Sequence, residues 1–152
     1  MILTEKEEMV IRDLQTQEQT CMEKYKRYAK EAKDPVLKDL FQQLEKDEQE
    51  HFQSLGKVLA GEVPCCDCND SQGKNYKPQA TYTGTASAED KKSDCFLATD
   101  CIGTEKLVSG EYNTDVFAFG NSSIRKLLAD IQIEEQNHAE MLYNYKTVNK
   151  MS

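Results

Sequence analysis

The chain contains two histidines, and each follows a glutamate by three residues: Glu48 with His51, and Glu135 with His138. Residues three apart lie about one turn from each other on one helical face, so a single cation can contact both side chains. Two such pairs, each joined by one further glutamate from another helix, form the carboxylate and imidazole cage of a two-metal four-helix bundle. The two motifs therefore predict a dinuclear metal site, for which the rest of the chain must supply helices and further glutamates.

The spacing of apolar residues predicts an all-α fold with four long helices. Residues 4–7 have the form of a capping box, and residues 87–90 have the form of a second one. Asp34-Pro35 ends the first helix and starts the second, and Gly120 separates the third from the fourth. The predicted helices are about 4–33, 35–60, 88–119 and 122–149, in one domain of 152 residues with a non-helical crossover linker at about 61–87.

The chain is also an internal repeat of one helical hairpin. Adding 87 to each residue number overlays residues 12–55 on residues 99–142 without a gap. The identical positions include both Glu-x-x-His motifs and one lone glutamate in each half, Glu18 and Glu105. Each lone glutamate interrupts an apolar helical face, which indicates that it points into the core.

Turn distances predict that the candidate ligands lie at one height in the bundle. In each half, the lone glutamate and the glutamate of the motif are 30 residues apart, with midpoints at residue 33 and at Gly120. Both midpoints fall at predicted turns, and a rise of 1.5 Å per residue places each glutamate about 22 Å from its turn. The predicted metal ligands are Glu18, Glu48, His51, Glu105, Glu135 and His138.

The complete pattern E…ExxH…E…ExxH resembles that of the ferritin-like di-iron carboxylate superfamily, over nearly the whole chain outside the linker. Within that superfamily the chain is most similar to rubrerythrin-like proteins, because Tyr25 and Tyr112 stand two turns after the lone glutamates. The resemblance implies a ferritin-like four-helix bundle, in which two antiparallel helical hairpins are joined by a long crossover. It also implies a cofactor of two iron ions, with manganese or a mixed metal pair as alternatives.

The resemblance also implies a role for each candidate residue. Glu48 and Glu135 would bridge the metals, the lone glutamates would be terminal ligands, and each histidine would bind one metal. The two tyrosines would serve catalysis by bonding to ligand carboxylates or donating protons, or else they are core aromatics whose hydroxyls have found a partner. Asp47 and Glu134 precede the histidines by four residues and are candidate acceptors for the second ring N–H, as are groups across the bundle.

Two functional classes follow from the resemblance. The first is a redox protein that reduces hydrogen peroxide or consumes dioxygen. It would need a separate electron-donor protein, because the chain does not have the two C-x-x-C pairs of a rubredoxin module. The second is a structural protein whose metal site rigidifies the bundle, since residues 104–119 and 131–142 are similar in texture to spore coat F-type ferritin-like proteins of endospore-forming anaerobes. Iron storage is a third alternative.

The charge and the apolar runs of the chain limit which partners and which location we expect for the protein. The net charge is −8 and the chain has no basic cluster, so nucleic acid is not an expected partner. No apolar run approaches the roughly 20 residues that span a bilayer, and the first residues do not have the form of a secretory signal. We therefore expect a cytoplasmic protein without a membrane partner, with the spore coat as the alternative location. We also expect a homodimer or another homo-oligomer.

The cysteines fit no familiar zinc pattern. Cys65, Cys66 and Cys68 cluster in the linker, where they could bind a soft metal, cross-link to a neighbour or relay electrons. Cys21 and Cys101 lie near the lone glutamates, but their counterparts in the repeat are apolar residues. We interpret these two as small buried hydrophobic residues.

Overall fold

The computed structural model describes residues 1–65, 71–84 and 87–152, and within these ranges it is helical with no strand. The helices are α1 (Glu5–Glu31), α2 (Pro35–Leu59), α3 (Gln72–Asn75), α4 (Ala88–Asp115) and α5 (Ser122–Val148), with a 3₁₀ turn at Val116–Ala118. α1 packs on α2 and α4 packs on α5, which gives two helical hairpins. The all-α prediction is confirmed.

Side chains cap the N-termini of the long helices. Thr4 and Glu7 form the predicted capping box, and Asp34 caps α2. Ser87 accepts a hydrogen bond from the N–H of Asp90, but the reciprocal bond is not formed. The predicted second capping box is therefore only half present, because aspartate is one methylene shorter than the glutamate or glutamine of a full box.

Two helices end earlier than predicted. α1 ends at Glu31, two residues before the predicted end, and α4 ends at Asp115 rather than near Phe119. The chain after α4 tightens into the 3₁₀ turn, and Phe119 then adopts an extended backbone and is buried. The guanidinium of Arg125 donates hydrogen bonds to the carbonyls of Phe119 and Gly120, at 3.0 and 2.6 Å, and so satisfies acceptors that a longer helix would have used.

The core has an apolar cluster on each side of a polar layer. One cluster lies toward the α1–α2 turn and includes Leu37, Phe41 and Tyr145. The other lies toward the opposite end and includes Ile11 and Leu55. The candidate ligands occupy the positions between these clusters on all four long helices, so apolar packing closes the polar layer from above and below. None of the helices in the described ranges is both long and apolar enough to cross a membrane.

The crossover contains one helix that the sequence did not predict. α3 packs against α5, where the N–H of Gly73 donates to Oδ1 of Asn137 at 3.0 Å. The side-chain amide of Asn144 donates to the carbonyl of Gly73 at 3.2 Å. A helix of four residues is too short to show an apolar period, so pattern analysis could not find it.

A buried polar cluster fastens the end of the crossover to the bundle. The Asp94 carboxylate accepts hydrogen bonds from the backbone N–H groups of Lys33 and Asp34, each at 2.9 Å. It also accepts one from the hydroxyl of Tyr82, at 2.5 Å. Oδ1 of Asn149 accepts a hydrogen bond from the N–H of Tyr82, at 3.0 Å. The α1–α2 turn, the crossover, the start of α4 and the end of α5 therefore meet in one network.

The contact of Gly73 with α5 leads to a first prediction. A Cβ at this position would lie 2.6 Å from Oε2 of Glu140 and 2.9 Å from Oδ1 of Asn137, so Gly73→Ala should displace α3. We expect a loss of about 1–3 kcal/mol in the free energy of unfolding and faster amide hydrogen exchange at residues 71–76. Gly120→Ala is the control, because a Cβ there meets nothing within 4 Å. Unchanged exchange in the Gly73 variant would contradict the docking of α3.

Candidate metal centre

The structure brings the six candidate ligands together in the polar layer. The six side chains come from α1, α2, α4 and α5, and all are buried. They form two sets, and within each set the potential ligand atoms all lie within 4.8 Å of one another. The first set is Glu18, Glu48, His51 and Glu135, and the second is Glu48, Glu105, Glu135 and His138.

Glu48 and Glu135 belong to both sets. Each contributes to the site from the Glu-x-x-His motif of its own hairpin, and each also reaches the ligands of the other hairpin. Each set consequently contains residues of both hairpins. Two ions held here would share two carboxylates, an arrangement that agrees with the bridging role expected for Glu48 and Glu135.

Both histidines direct Nδ1 toward the carboxylates. Nδ1 of His51 lies 2.8 Å from Oε1 of Glu135 and 3.5 Å from Oε2 of Glu48. Nδ1 of His138 lies 2.9 Å from Oε1 of Glu48 and 3.5 Å from Oε1 of Glu105. The two rings are nearly parallel, with centroids 5.8 Å apart. Each histidine thus offers one ring nitrogen to the set that contains it.

The second ring nitrogen of each histidine faces an acid of the other hairpin. Nε2 of His51 contacts the carboxylate of Glu134, which lies on α5. Nε2 of His138 lies 3.2 Å from Oδ2 of Asp47, which lies on α2. The two acids that precede the histidines in sequence are therefore partners of the opposite histidine. Such contacts orient an imidazole and fix which nitrogen carries the proton.

A residue of the crossover, Gln72, supports the acid that faces His138. The Gln72 side chain donates a hydrogen bond to Oδ2 of Asp47 at 2.9 Å, and Gln43 donates to Oδ1 at the same distance. Asp47 is thereby held by two amides while it faces His138. The pKa of Asp47 is lowered, although burial opposes the shift, because His138 and the two amides stabilise its carboxylate. Sequence analysis missed Gln72 because it lies in the crossover, which shows no helical pattern.

The two tyrosines also make contacts across the bundle. The Tyr25 hydroxyl donates a hydrogen bond to Oε1 of Glu105, and the Tyr112 hydroxyl donates to Oε1 of Glu18. Both tyrosines are buried, and burial together with the neighbouring carboxylates raises the pKa of each phenol well above its usual range. Each tyrosine therefore keeps its proton and holds one oxygen of a glutamate that belongs to only one of the two sets.

Several polar atoms in the cluster lack a hydrogen-bond partner among the described residues. They include the Oε2 atoms of Glu18, Glu48 and Glu105, both side-chain oxygens of Glu135, and Nδ1 of His51. Buried polar atoms are almost always paired, and leaving them unpaired costs free energy. Four carboxylates and two imidazoles in this state match the charge and the donor preference of two divalent transition metals. The residues present thus fit such a pair.

The carboxylates and imidazoles compete for protons in the metal-free cluster. Burial, followed by repulsion from neighbouring carboxylates, raises the pKa values of Glu18 and Glu135 well above their usual range. Although burial opposes it, hydrogen bonds from its neighbours hold the pKa of Glu48 well below that range. Burial lowers the pKa values of His51 and His138, but the surrounding carboxylates outweigh it and raise both.

These shifts predict how the stability of the metal-free protein depends on pH. As the pH rises from about 5 to about 8, the unfolded chain loses the protons that folded Glu18, Glu135, His51 and His138 retain, so the free energy of unfolding should fall. Glu48, with a lowered pKa, affects stability only below its unfolded pKa and adds no slope in this range. Thermal unfolding in chelator at several pH values measures the effect. The double variant Glu18→Gln and Glu135→Gln should show a flatter dependence, and a metal-free melting temperature that rises over this range would contradict the prediction.

The buried cysteines belong to neither candidate ligand set. Cys21 and Cys101 are buried within the two apolar clusters. Burial, as the largest cause, raises the pKa of each thiol, which disfavours a reactive thiolate. Cys65 is exposed, while Cys66 and Cys68 lie outside the described residues.

Comparison with known protein families gives a match to the α4–α5 hairpin. A family model matches residues 93–149. The family is the Coat F domain. The Coat F match covers most of α4 and all of α5, and with them Glu105, Tyr112, Glu135 and His138. It covers fewer than half of the residues and does not reach α1 or α2. No curated protein and no solved structure matches the chain.

Proposed function

We propose that the chain is a spore coat protein of the Coat F type whose bundle holds two metal ions, with iron as the expected metal. The Coat F match supports the first part of this proposal. The single observation that carries the second part is that Glu48 and Glu135 belong to both ligand sets. Two separate mononuclear sites would not need shared carboxylates.

The origin of the ligands suggests what the metals do in such a protein. The first set takes three residues from the α1–α2 hairpin and only Glu135 from the other. The second takes three residues from the α4–α5 hairpin and only Glu48 from the first. Each ion would therefore bind the two hairpins to each other. It would also neutralise buried carboxylates that are otherwise costly, so metal binding should rigidify the bundle.

Metal titration tests this function. Purified chain, stripped with a chelator and reloaded anaerobically with ferrous or manganous ions, should retain about two ions per chain, as expected for a two-metal carboxylate bundle. The melting temperature should rise on loading, because the ions bind the folded chain and not the unfolded one. Elemental analysis after gel filtration gives the stoichiometry. A chain that retains no metal and gains no stability would exclude the proposed centre.

A second candidate function is redox chemistry with hydrogen peroxide or dioxygen, and the tyrosine contacts favour it. Reduction of peroxide to water consumes two electrons and two protons, and two bound ferrous ions can supply one electron each. The hydroxyls of Tyr25 and Tyr112 place buried O–H donors on Glu105 and Glu18. These phenols hold their protons at neutral pH and would serve as hydrogen-bond donors at the centre. A proton that one of them transfers would have to be replaced from solvent, because the raised pKa disfavours the phenolate. A separate electron donor would then have to return the iron to the ferrous state.

Stopped-flow mixing separates the two functions. Anaerobic, ferrous-loaded protein is mixed with peroxide, and iron oxidation is followed by near-ultraviolet absorbance. If the chain is a redox protein, oxidation should be complete within seconds and should slow by about a hundredfold or more, the lower end of general acid catalysis, when Tyr25 and Tyr112 are both replaced by phenylalanine. Tyr143→Phe is the control, because Tyr143 is exposed. Stable retention of two ferrous ions without oxidation would contradict the redox function and leave the structural one.

A further inference from the structure

The outward side of α4 carries a strip of large apolar side chains, which the exposed charged residues Lys106 and Glu111 flank. Phe96 is 67% exposed and Leu107 is 73% exposed, and Phe117, in the turn that follows, is 85% exposed. Gly103 and Gly110 lie between them on the same face, at steps of seven residues from Phe96 and from Phe117. A step of seven returns to nearly the same side of a helix, so these residues form a continuous seam about 30 Å long. We call residues 96, 99, 103, 107, 110, 114 and 117 the α4 seam.

The sister helix shows that the fold itself does not require this apolar face. Subtracting 87 maps Thr99, Gly110, Thr114 and Phe117 onto α1, at positions that are all exposed and all charged. The charged counterparts are Arg12, Glu23, Arg27 and Lys30. The other three seam positions correspond to Met9, Thr16 and Thr20, so the outer face of α1 is charged at four of the seven positions and that of α4 at none of them. The α4 seam is therefore a property of this helix rather than of the bundle.

Packing among the described residues does not require the two glycines of the seam. A Cβ added at Gly103 or at Gly110 meets nothing within 4 Å, so neither residue is needed for close packing in the bundle. Neither has a positive φ. A glycine inside a helix costs about 1 kcal/mol relative to alanine. Two such residues at the centre of a seam indicate that another backbone approaches this face from outside the molecule.

We propose that a second copy of this chain packs on the α4 seam, with the two α4 helices antiparallel about a twofold axis. A twofold contact requires a self-complementary surface, in which residue i meets residue j and residue j meets residue i. The α4 seam has this property, because the pairs 96 and 117, 99 and 114, and 103 and 110 all share one midpoint, between Lys106 and Leu107. Phe96 would meet Phe117 of the partner subunit, and Gly103 would meet Gly110 of the partner subunit.

At the centre of this interface, Leu107 of each copy can insert as a knob into a hole on the facing α4 helix. In packed helices a side chain inserts between four residues of the facing helix. In the antiparallel register, Leu107 faces the partner's residues 103, 106, 107 and 110. Because two of these are glycines, the hole is open enough to accept a leucine. An uncharged seam also suits contact between two copies that each carry a net charge of −8.

α5 can widen the contact. Ile133 and Leu107 are at equal distances from Gly120, so they lie at one height on the α4–α5 hairpin, and Ile133 is 36% exposed. Its counterpart in the repeat is Lys46 on α2. A stable interface hides about 800 Å² on each partner, and an apolar residue beside the seam adds to the area that α4 supplies. The same position on the α1–α2 hairpin is charged, as four of the seven seam counterparts on α1 are.

Sedimentation of the full chain tests the proposal. In a reducing agent, which removes any disulfide-linked species, the wild-type chain should be a dimer at micromolar concentration, and Leu107→Glu should weaken dimerisation at least about a hundredfold. Thr20→Glu is the matched control, because Thr20 is the exposed counterpart of Leu107 in the repeat, and this variant should remain a dimer. Circular dichroism checks that both variants fold. A wild-type monomer at about 100 μM, or a Leu107→Glu variant that still dimerises like wild type, would overturn the proposal.

A charge-pair experiment tests the register. Phe96→Lys alone and Phe117→Glu alone should each weaken the dimer, because each places a charge against a phenylalanine. The double variant should recover much of the loss, since antiparallel packing brings the lysine of one copy against the partner's glutamate. A parallel pair would instead place lysine on lysine and glutamate on glutamate. A double variant weaker than both single variants would therefore overturn the antiparallel arrangement.

Discussion

Replacing Glu48 with alanine is expected to abolish the binding of both metal ions. Glu48 belongs to both ligand sets, and its oxygens lie within 3.5 Å of Nδ1 of His51 and 2.9 Å of Nδ1 of His138. Its removal would take one carboxylate ligand from each set, and only Glu135 would then be shared by the two sets. The loss of affinity should exceed the 10–100-fold that is typical when a partner outside the ligand shell is removed. Elemental analysis and metal titration measure it.

Matched variants make the result specific. Glu50→Ala removes an exposed carboxylate from the same helix, two residues away, and should leave two ions bound. Glu105→Ala should impair only the set that contains His138, because Glu105 does not belong to the other. The predicted order of metal loss is therefore Glu48→Ala, then Glu105→Ala, then Glu50→Ala. Equal metal content in the Glu48 and Glu50 variants would show that the shared carboxylate is not a ligand.

Replacing Asp94 with alanine is expected to cause the largest loss of stability outside the metal centre. Asp94 is fully buried, and its carboxylate accepts hydrogen bonds from the N–H groups of Lys33 and Asp34 and from the hydroxyl of Tyr82. The substitution leaves these donors unpaired in the interior. An unpaired buried donor costs about 1–3 kcal/mol, so we expect the free energy of unfolding to fall by about 3 kcal/mol or more.

Denaturant unfolding in chelator measures this loss without a contribution from bound metal. Asp94→Asn keeps one carbonyl oxygen and should lose less stability than Asp94→Ala. Ser93→Ala is the control at the neighbouring exposed position and should change stability by less than about 0.5 kcal/mol. The substitution should also release the crossover from the α1–α2 turn. Faster limited proteolysis near Tyr82 would detect this release. Similar stabilities for the Ala variants at 93 and 94 would contradict this role.

The repeat explains why the positions of the site could be predicted from sequence. Glu18, Glu48 and His51 recur 87 residues later. The two glutamates of each hairpin are equally far from its turn, and a regular helix converts residue number into height. Packing of two such hairpins then places all six side chains in one layer, and the structure shows this layer between two apolar clusters.

The contacts that surround the layer could not be predicted in the same way. Helical spacing places Glu134 four residues before His138, but the structure pairs Glu134 with His51 and Asp47 with His138. This exchange depends on how the hairpins face each other, which a one-dimensional pattern does not contain. Gln72 lies in the crossover, where apolar residues show no helical spacing. The role of Asp94 cannot be recognised in the sequence, because it depends on the α1–α2 turn and the crossover, which meet only in the folded chain. Periodicity finds the helices and their inward positions, while loops and contacts between hairpins require the folded chain.

Anomalous scattering from crystals of the chain loaded with manganous ions would locate the bound metal. We expect two peaks inside the bundle, both in contact with Glu48 and Glu135, with His51 beside one peak and His138 beside the other. A single peak, or peaks only at surface carboxylates with the six buried side chains left without metal, would contradict the proposed centre.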